Sequence, residues 1–215
     1  MNDAGPPPNA RLTHTKATRE DWIRVALETL IGEGVDSVKV LTLADRLGVS
    51  RSSFYWYFRN RDQLLDALLA HWQDTNTRAV VEQAALPSTS IVHGVTHIFR
   101  CWVDERLFDP RLDFAVRDWA RRSDAVRAEL DRADETRVAA IAELFRRHGW
   151  VEREAFVRSR VLYFMQIGYY ALDLGETLEQ RKVLTGHYLK AFTGQDPSPE
   201  ELDPYLAWMD EMAAR

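Results

Sequence analysis

The chain has 215 residues, 46% of them hydrophobic and 28% charged, with a formal net charge of −5. Such a composition suits one large or two small globular domains, and a single cysteine, Cys101, excludes an internal disulfide framework and leaves no basis for a Cys-based zinc site. Residues 1–61 hold nine Lys/Arg against seven Asp/Glu, net +2, and residues 62–215 nineteen against twenty-six, net −7. The N-terminal part is thus the basic end of an acidic chain, so the total charge does not exclude nucleic acid as a partner.

Met1 to Lys16 has no apolar run of signal-peptide type. Gly5-Pro6-Pro7-Pro8-Asn9 predicts an extended stretch, so residues 1–17 are expected to form a flexible arm, with Arg11, Lys16 and Arg19 as candidate minor-groove or phosphate contacts and a solvated tail as the preferred reading of Arg11. The most continuous apolar stretch, Val161 to Leu172, is interrupted by Gln166 and is shorter than the roughly 20 residues a bilayer span needs. A cytoplasmic protein without a membrane partner is expected.

From Thr18 onward the apolar residues recur at helical spacing almost throughout, and no alternating run predicts a strand. The fold class expected is all-α. Thr18 followed by Asp21 is a capping-box start for a helix over Arg19–Glu33, whose apolar face is Trp22, Ile23, Ala26, Leu27, Leu30 and Ile31. A short helix over Val40–Leu47, the turn Gly48-Val49-Ser50, a second short helix over Arg51–Tyr57 and a long helix from Arg61 follow. Further helices are expected over Ile91–Glu105, in a segment near 111–120, and over Asp124–His148, Glu152–Leu174, Leu178–Phe192 and Glu200–Met212. Leu86-Pro87-Ser88 and Asp109-Pro110 read as breaks, and Gly149 and Gly175 as stops.

The segment from Val40 to Tyr55 carries the functional signal. Leu43, Ala44 and Leu47 face inward and Ala44 is small enough for a second helix to approach. Gly48 supplies the left-handed turn, Val49 plugs it, and Ser50 suits the next N-cap. Phe54 and Phe58 pack inward, leaving Arg51, Ser52, Ser53 and Tyr57 outward. This is a helix-turn-helix pattern. Arg can bind guanine bidentately, and Ser can donate or accept at a base edge. A plain helical hairpin shares the bare pattern.

The residues that follow distinguish the two. Leu43-Ala44, Gly48-Val49-Ser50, Tyr55 with Phe58, and Arg61 with Leu64 together resemble the DNA-binding domain of the TetR family, over about residues 18–65. The resemblance implies an N-terminal three-helix DNA-binding domain over 18–62 and a C-terminal helical effector-binding and dimerisation domain over 63–215. It implies base contacts from Arg51, Ser52 and Ser53 with Trp56 and Tyr57 beside them, and phosphate contacts from Tyr55, Arg61 and Lys39. Val40 and Leu41 stand where the family often has Thr, which removes one expected hydroxyl contact. The family's last two long helices pair in a dimer, and the matching segments here are 152–174 and 178–192.

In the C-terminal part, Phe156, Tyr163, Phe164, Met165, Gln166, Tyr169 and Tyr170 surround one helix, which must therefore be covered on all sides. His97, Trp102, Phe114, Trp119, Tyr163 and Gln166 are candidate lining residues for an effector pocket, against plain core packing. His93 and His97 share a helix face but have no third ligand nearby in sequence, so no metal is expected. Cys101 reads as inert packing rather than a redox sensor. Neither a nucleophile–base pair nor a phosphate loop is evident, so neither an enzyme nor a cofactor is expected. The combined expectation is a homodimeric, sequence-specific DNA-binding regulator of transcription, a repressor released from double-stranded operator DNA by an unidentified small molecule. The alternatives are a regulator with no such effector, and a helical enzyme with an incidental helix-turn-helix.

Overall fold

The computed structural model describes residues 17–214, and the arm residues Arg11 and Lys16 lie outside that range. All regular elements among the described residues are helical: α1 (Arg19–Glu33), α2 (Val40–Leu47), α3 (Arg61–Trp72), α4 (Arg78–Ala85), α5 (Ile91–Val103), α6 (Pro110–Ala120), α7 (Asp124–Arg147), α8 (Glu152–Leu172), α9 (Leu178–Thr193) and α10 (Pro199–Ala213). The chain divides into two compact units between Ala67 and Leu68, within α3.

The N-terminal unit starts on a complete capping box. The Thr18 hydroxyl accepts from the Asp21 N–H at 3.1 Å, and the Asp21 carboxylate accepts from the Thr18 N–H at 3.0 Å. Two of the orphan donors of the first turn are thereby satisfied. Trp22, Ala26 and Leu30 are fully buried, as are Leu43, Ala44, Phe54 and Phe58. The Trp22 and Phe54 rings meet edge to face at 5.2 Å, and Phe54 stacks on Phe58 at 5.2 Å.

In the C-terminal unit the helical course continues from α3 into α4 through a π turn, Gln73–Thr77. This widened turn contains Asn76, which is buried and hydrogen-bonded to the Asp109 backbone, donating to its carbonyl at 2.8 Å and accepting from its N–H at 3.2 Å. Asp109-Pro110, expected only as a break, opens a helix. Asp109 caps α6 through the Arg111 and Leu112 N–H groups and Pro110 occupies the first turn, where its missing donor costs nothing. The long α7 and α8 pack along one another, with α4, α5 and α6 against α7 and with α9 and α10 against α5. The core joins Val95, Ile98, Cys101, Ile141, Phe145, Leu162 and Leu189. Gly94 leaves no room for a side chain against α7: a Cβ there would lie 2.5 Å from Leu144 Cδ1 and 3.1 Å from Ser88 Oγ. α8 stops at Leu172, two residues before its expected end, because Asp173 rather than Gly175 takes the left-handed cap (φ 44, ψ 56).

Candidate DNA-binding surface and C-terminal cavity

In the N-terminal unit α2 ends on Gly48 in the left-handed conformation (φ 64, ψ 30), a backbone turn that a Cβ would strain. Ser50 then begins the segment expected as a second α-helix. It is a six-residue 3₁₀ helix, Arg51–Trp56, with i→i+3 bonds from Ser53 to Ser50 and from Tyr57 to Phe54. The tighter winding follows from what comes next. Asn60 accepts from the Gln63 N–H at 2.9 Å and Gln63 reaches back to the Arg59 N–H at 2.7 Å, so α3 starts too soon for a longer helix.

The 3₁₀ segment presents Arg51, Ser52, Tyr55 and Trp56 outward, Trp56 at 70% exposure and Tyr55 at 53%, while Phe54 is buried beneath them. Ser52 shares a hydrogen bond with Ser50 at 2.8 Å, and the half-buried Ser53 donates to the Ser50 carbonyl at 2.9 Å. The Ser53 hydroxyl hydrogen is therefore committed to the turn, leaving its lone pairs. Tyr57 is half-buried, and Lys39 is exposed at the N-terminal end of α2. Leu41 is exposed beside it.

Arg61 has a role in the fold that its spacing did not reveal. Its Nε donates to the Val38 carbonyl at 2.5 Å and its Nη2 to the Val35 carbonyl at 2.6 Å. The guanidinium thus holds the turn between α1 and α2 and keeps only part of its donor set for a phosphate. Arg46 is a second such tie: it donates to Thr29 Oγ1 at 2.7 Å and pairs with Glu33.

The residues expected to line an effector pocket do not all meet. Trp102 and Gln166 share one cavity of about 50 Å³, with α9 and α10 supplying Arg181, Tyr188, Tyr205 and Met209. Phe114 lines a separate, wider cleft of about 510 Å³ that shares Tyr169, Glu176 and Arg181 with the first. Trp119 and His97 line neither. Both are buried in the helical core, and burial, then the neighbouring His93 ring at 4.7 Å, lowers the His97 pKa. Among the described residues no group of three metal-ligating side chains occurs. Cys101 is fully buried, and burial pushes its thiol up to about 12. A thiolate nucleophile is thereby disfavoured.

Tyr163 is committed to a network of buried charges instead of a cavity. Its hydroxyl donates to Asp134 at 2.7 Å and accepts from Arg137 at 2.8 Å and Arg117 at 3.0 Å. Arg137 and Asp113, both fully buried, pair at 2.9 Å, and Arg117 bridges Asp113 and Asp134. The Trp72 indole donates to Asp113 at 2.9 Å, and Arg137 lies 4.9 Å over the Trp72 ring. Burial by itself would raise the Asp113 pKa, but the Arg137 and Arg117 charges outweigh it and hold the carboxyl below its ordinary range. Two cations and two anions balance, and the hydrogen bonds make their desolvation tolerable.

The signal that could have found Arg181, Tyr188, Tyr205 and Met209 is absent from local sequence. They come from α9, read only as a dimer helix, and from α10, to which no role was given.

Comparison with known proteins places this geometry. The family described as bacterial regulatory proteins, tetR family, matches residues 23–68. The tetracycline repressor protein class A from transposon 1721 of Escherichia coli is 48% identical over 86 residues, 40% of each chain. The class C tetracycline repressor of the same organism is 47% identical over 53 residues, 25% of this chain and 24% of the repressor. The chain thus matches two fifths or less of the length of these curated relatives. Solved structures extend the likeness in fold: Mycobacterium smegmatis AmtR has a TM-score of 0.60 at 20% identity, over 94% of this chain and 98% of that one. Salmonella enterica GusR has a TM-score of 0.57 at 13% identity, over 96% and 98%. Among the described residues no helix is long and apolar enough to cross a membrane.

Proposed function

We propose that this chain, whose residues 23–68 match the tetR family of bacterial regulatory proteins, is a dimeric, sequence-specific DNA-binding regulator of transcription, a repressor released from its operator by a small molecule. The observation that carries this reading is the turn at Gly48, which sets α2 against a short helix with its apolar residues buried and Arg51, Ser52, Tyr55 and Trp56 outward. Arg51 is the base-reading residue, with Ser52 and Ser53, and Trp56 and Tyr57 beside them. Lys39, Tyr55 and the remaining donors of Arg61 contact phosphates and set the register.

The dimer forms through α8 and α9. Val157, Val161, Phe164 and Leu172 recur on α8 at steps of four, three and eight residues, and all are exposed, as is Val183 on α9. An unpaired apolar row of this kind is what a second copy would cover. In a dimer the two short helices enter successive major grooves, so the operator is an imperfect palindrome. The C-terminal unit is a sensor rather than an enzyme, and the protein works in the cytoplasm, where its operator is.

Footprinting on the DNA upstream of the protein's own gene tests the reading. A protected palindrome is expected, with Arg51→Ala weakening binding by about 1–3 kcal/mol and relaxing one base position. Unchanged affinity and preference would remove Arg51 as a reader, and no protected site on this or on randomised duplexes would remove the function. The narrowness of the cavity favours one second reading, a regulator with no small-molecule effector. Thermal-shift screening of metabolites separates the two, since only the first predicts a stabilising compound that also releases DNA.

A further inference from the structure

The cavity between α5, α8, α9 and α10 is lined by residues that carry unpaired hydrogen-bond donors. Trp102 and Gln166 line it at 4% and 6% exposure; the Trp102 Nε1 has no hydrogen-bond partner, and the Gln166 Nε2 has only a loose contact with the Tyr170 hydroxyl, short of hydrogen-bond geometry. Buried N–H groups are ordinarily paired, and two orphans on one cavity wall need a reason. Arg181, on the same cavity, makes no ion pair among the described residues and lies 5.3 Å over the Tyr169 ring. Two of the acceptors nearby are already engaged. Glu176 accepts from the Tyr169 hydroxyl at 2.8 Å, and the Trp102 carbonyl accepts from Tyr170 at 2.9 Å. The remaining walls are aromatic, chiefly Phe99, Tyr188 and Tyr205.

We propose that this cavity binds a planar aromatic carbonyl compound, aromatic carboxylates included, with its oxygens accepting from Trp102 and Gln166 and its ring between the aromatic walls. The assignment rests on the effector reading above and names the ligand class for it. A ligand that brings acceptors completes the orphan donors, whereas one that brings donors leaves them unpaired and adds its own. Glu176 and Arg181 offset one another in charge, so acceptor oxygen rather than acidity is the primary requirement. A carboxylate gains further from Arg181, whose planar fork matches it. The cavity of about 50 Å³ is smaller than a benzene ring with its substituent, and the adjoining cleft of about 510 Å³ shares its Tyr169, Glu176 and Arg181 wall. The Tyr169–Glu176 hydrogen bond lies in that shared wall, and the proposed entry route passes through it.

The test is isothermal titration of the full-length protein with benzoate, acetophenone and aniline, repeated on Gln166→Leu and Arg181→Gln. Benzoate and acetophenone bind and aniline does not. Gln166→Leu weakens both ligands about tenfold without lowering the ligand-free melting temperature, because it removes an unpaired donor rather than a bond. Arg181→Gln weakens benzoate alone. Aniline binding as tightly as acetophenone, or Gln166→Leu leaving both affinities unchanged, overturns the proposal, as does absence of binding by either carbonyl compound. Operator titration separates the two layers. Gln166-dependent binding that never alters operator affinity leaves this site standing and removes the effector reading. Release of the operator by a donor-bearing or aliphatic compound, with no aromatic carbonyl bound, does the reverse.

Discussion

In the N-terminal unit Tyr55 and Trp56 are mostly exposed, while Arg61 ties two backbone carbonyls and Arg46 ties Thr29 and Glu33. In the C-terminal unit Trp72 and Tyr163 are buried, and Arg137, also fully buried, is paired with Asp113. Some aromatics of the N-terminal unit are thus turned outward, whereas the aromatics and arginine of this C-terminal network are turned inward. An outward set suits a partner that is itself large, rigid and charged, such as a duplex. An inward set suits a ligand small enough to enter, and it makes the surrounding packing intolerant of change because buried charges must keep their partners. The two halves should therefore respond differently to the same kind of substitution.

The largest contrast is expected from the arginine ties. Asp113→Ala leaves Arg137 fully buried without its closest anion and should destabilise the protein by about 3–5 kcal/mol, read from denaturant unfolding. A loss below about 1 kcal/mol would mean that the buried network is not what holds α6 to α7. Gly94→Ala forces a methyl group onto the buried Leu144 side chain and should cost about 1–3 kcal/mol by the same measurement. Arg61→Ala removes two hydrogen bonds at a half-buried position and should cost about 1–2 kcal/mol. Arg61→Lys sharpens the result, since it keeps the charge for DNA but loses the forked geometry. A lysine that keeps the salt dependence of DNA binding while losing stability would assign the guanidinium to both tasks. Thr18→Ala breaks one capping box at the edge of the N-terminal unit and should cost about 1 kcal/mol.

The smallest effect concerns pH. Burial and then His93, with Arg100 adding to it, hold the folded-state pKa of His97 below its ordinary 6.5. The unfolded chain takes up the proton first, so the associated stability is present above pH 6.5 and is lost as pH falls through the depressed folded value. His148 is lowered in the same direction, first by burial and then by Arg147 and His93. His97→Gln should flatten the fall in melting temperature below pH 6.5, and an unaltered pH profile would take His97 out of the acid response.

Much of the fold was legible because its signals are local. Thr18 with Asp21, Gly48, and the buried spacing of Phe54 and Phe58 each act within about one helical turn, and each stands in the structure as its residue type implies. The candidate reading surface was legible only in part: Arg51 and Ser52 face outward as expected, whereas Ser53 and Tyr57 are half-buried and Tyr55 and Trp56 are exposed, because the segment winds as a 3₁₀ helix rather than an α-helix. Where the reading departed from the structure, a contact made outside the element itself decided the outcome. The expected second α-helix is a 3₁₀ turn because Asn60 and Gln63 begin α3, and the long helix from Arg61 carries a π turn at the place where Asn76 meets Asp109.

The sequence by itself determined an all-helical chain with a helix-turn-helix near its N-terminus, since helical period, caps and a left-handed glycine are properties of neighbouring residues. Tertiary structure alone decided that Tyr163 belongs to a charge network, that Arg61 ties a turn, and that Trp102 and Gln166 share a cavity with Arg181 and Tyr205. Those pairings join residues tens of positions apart, and what an aromatic or an arginine does when buried depends on which partner the packing brings to it.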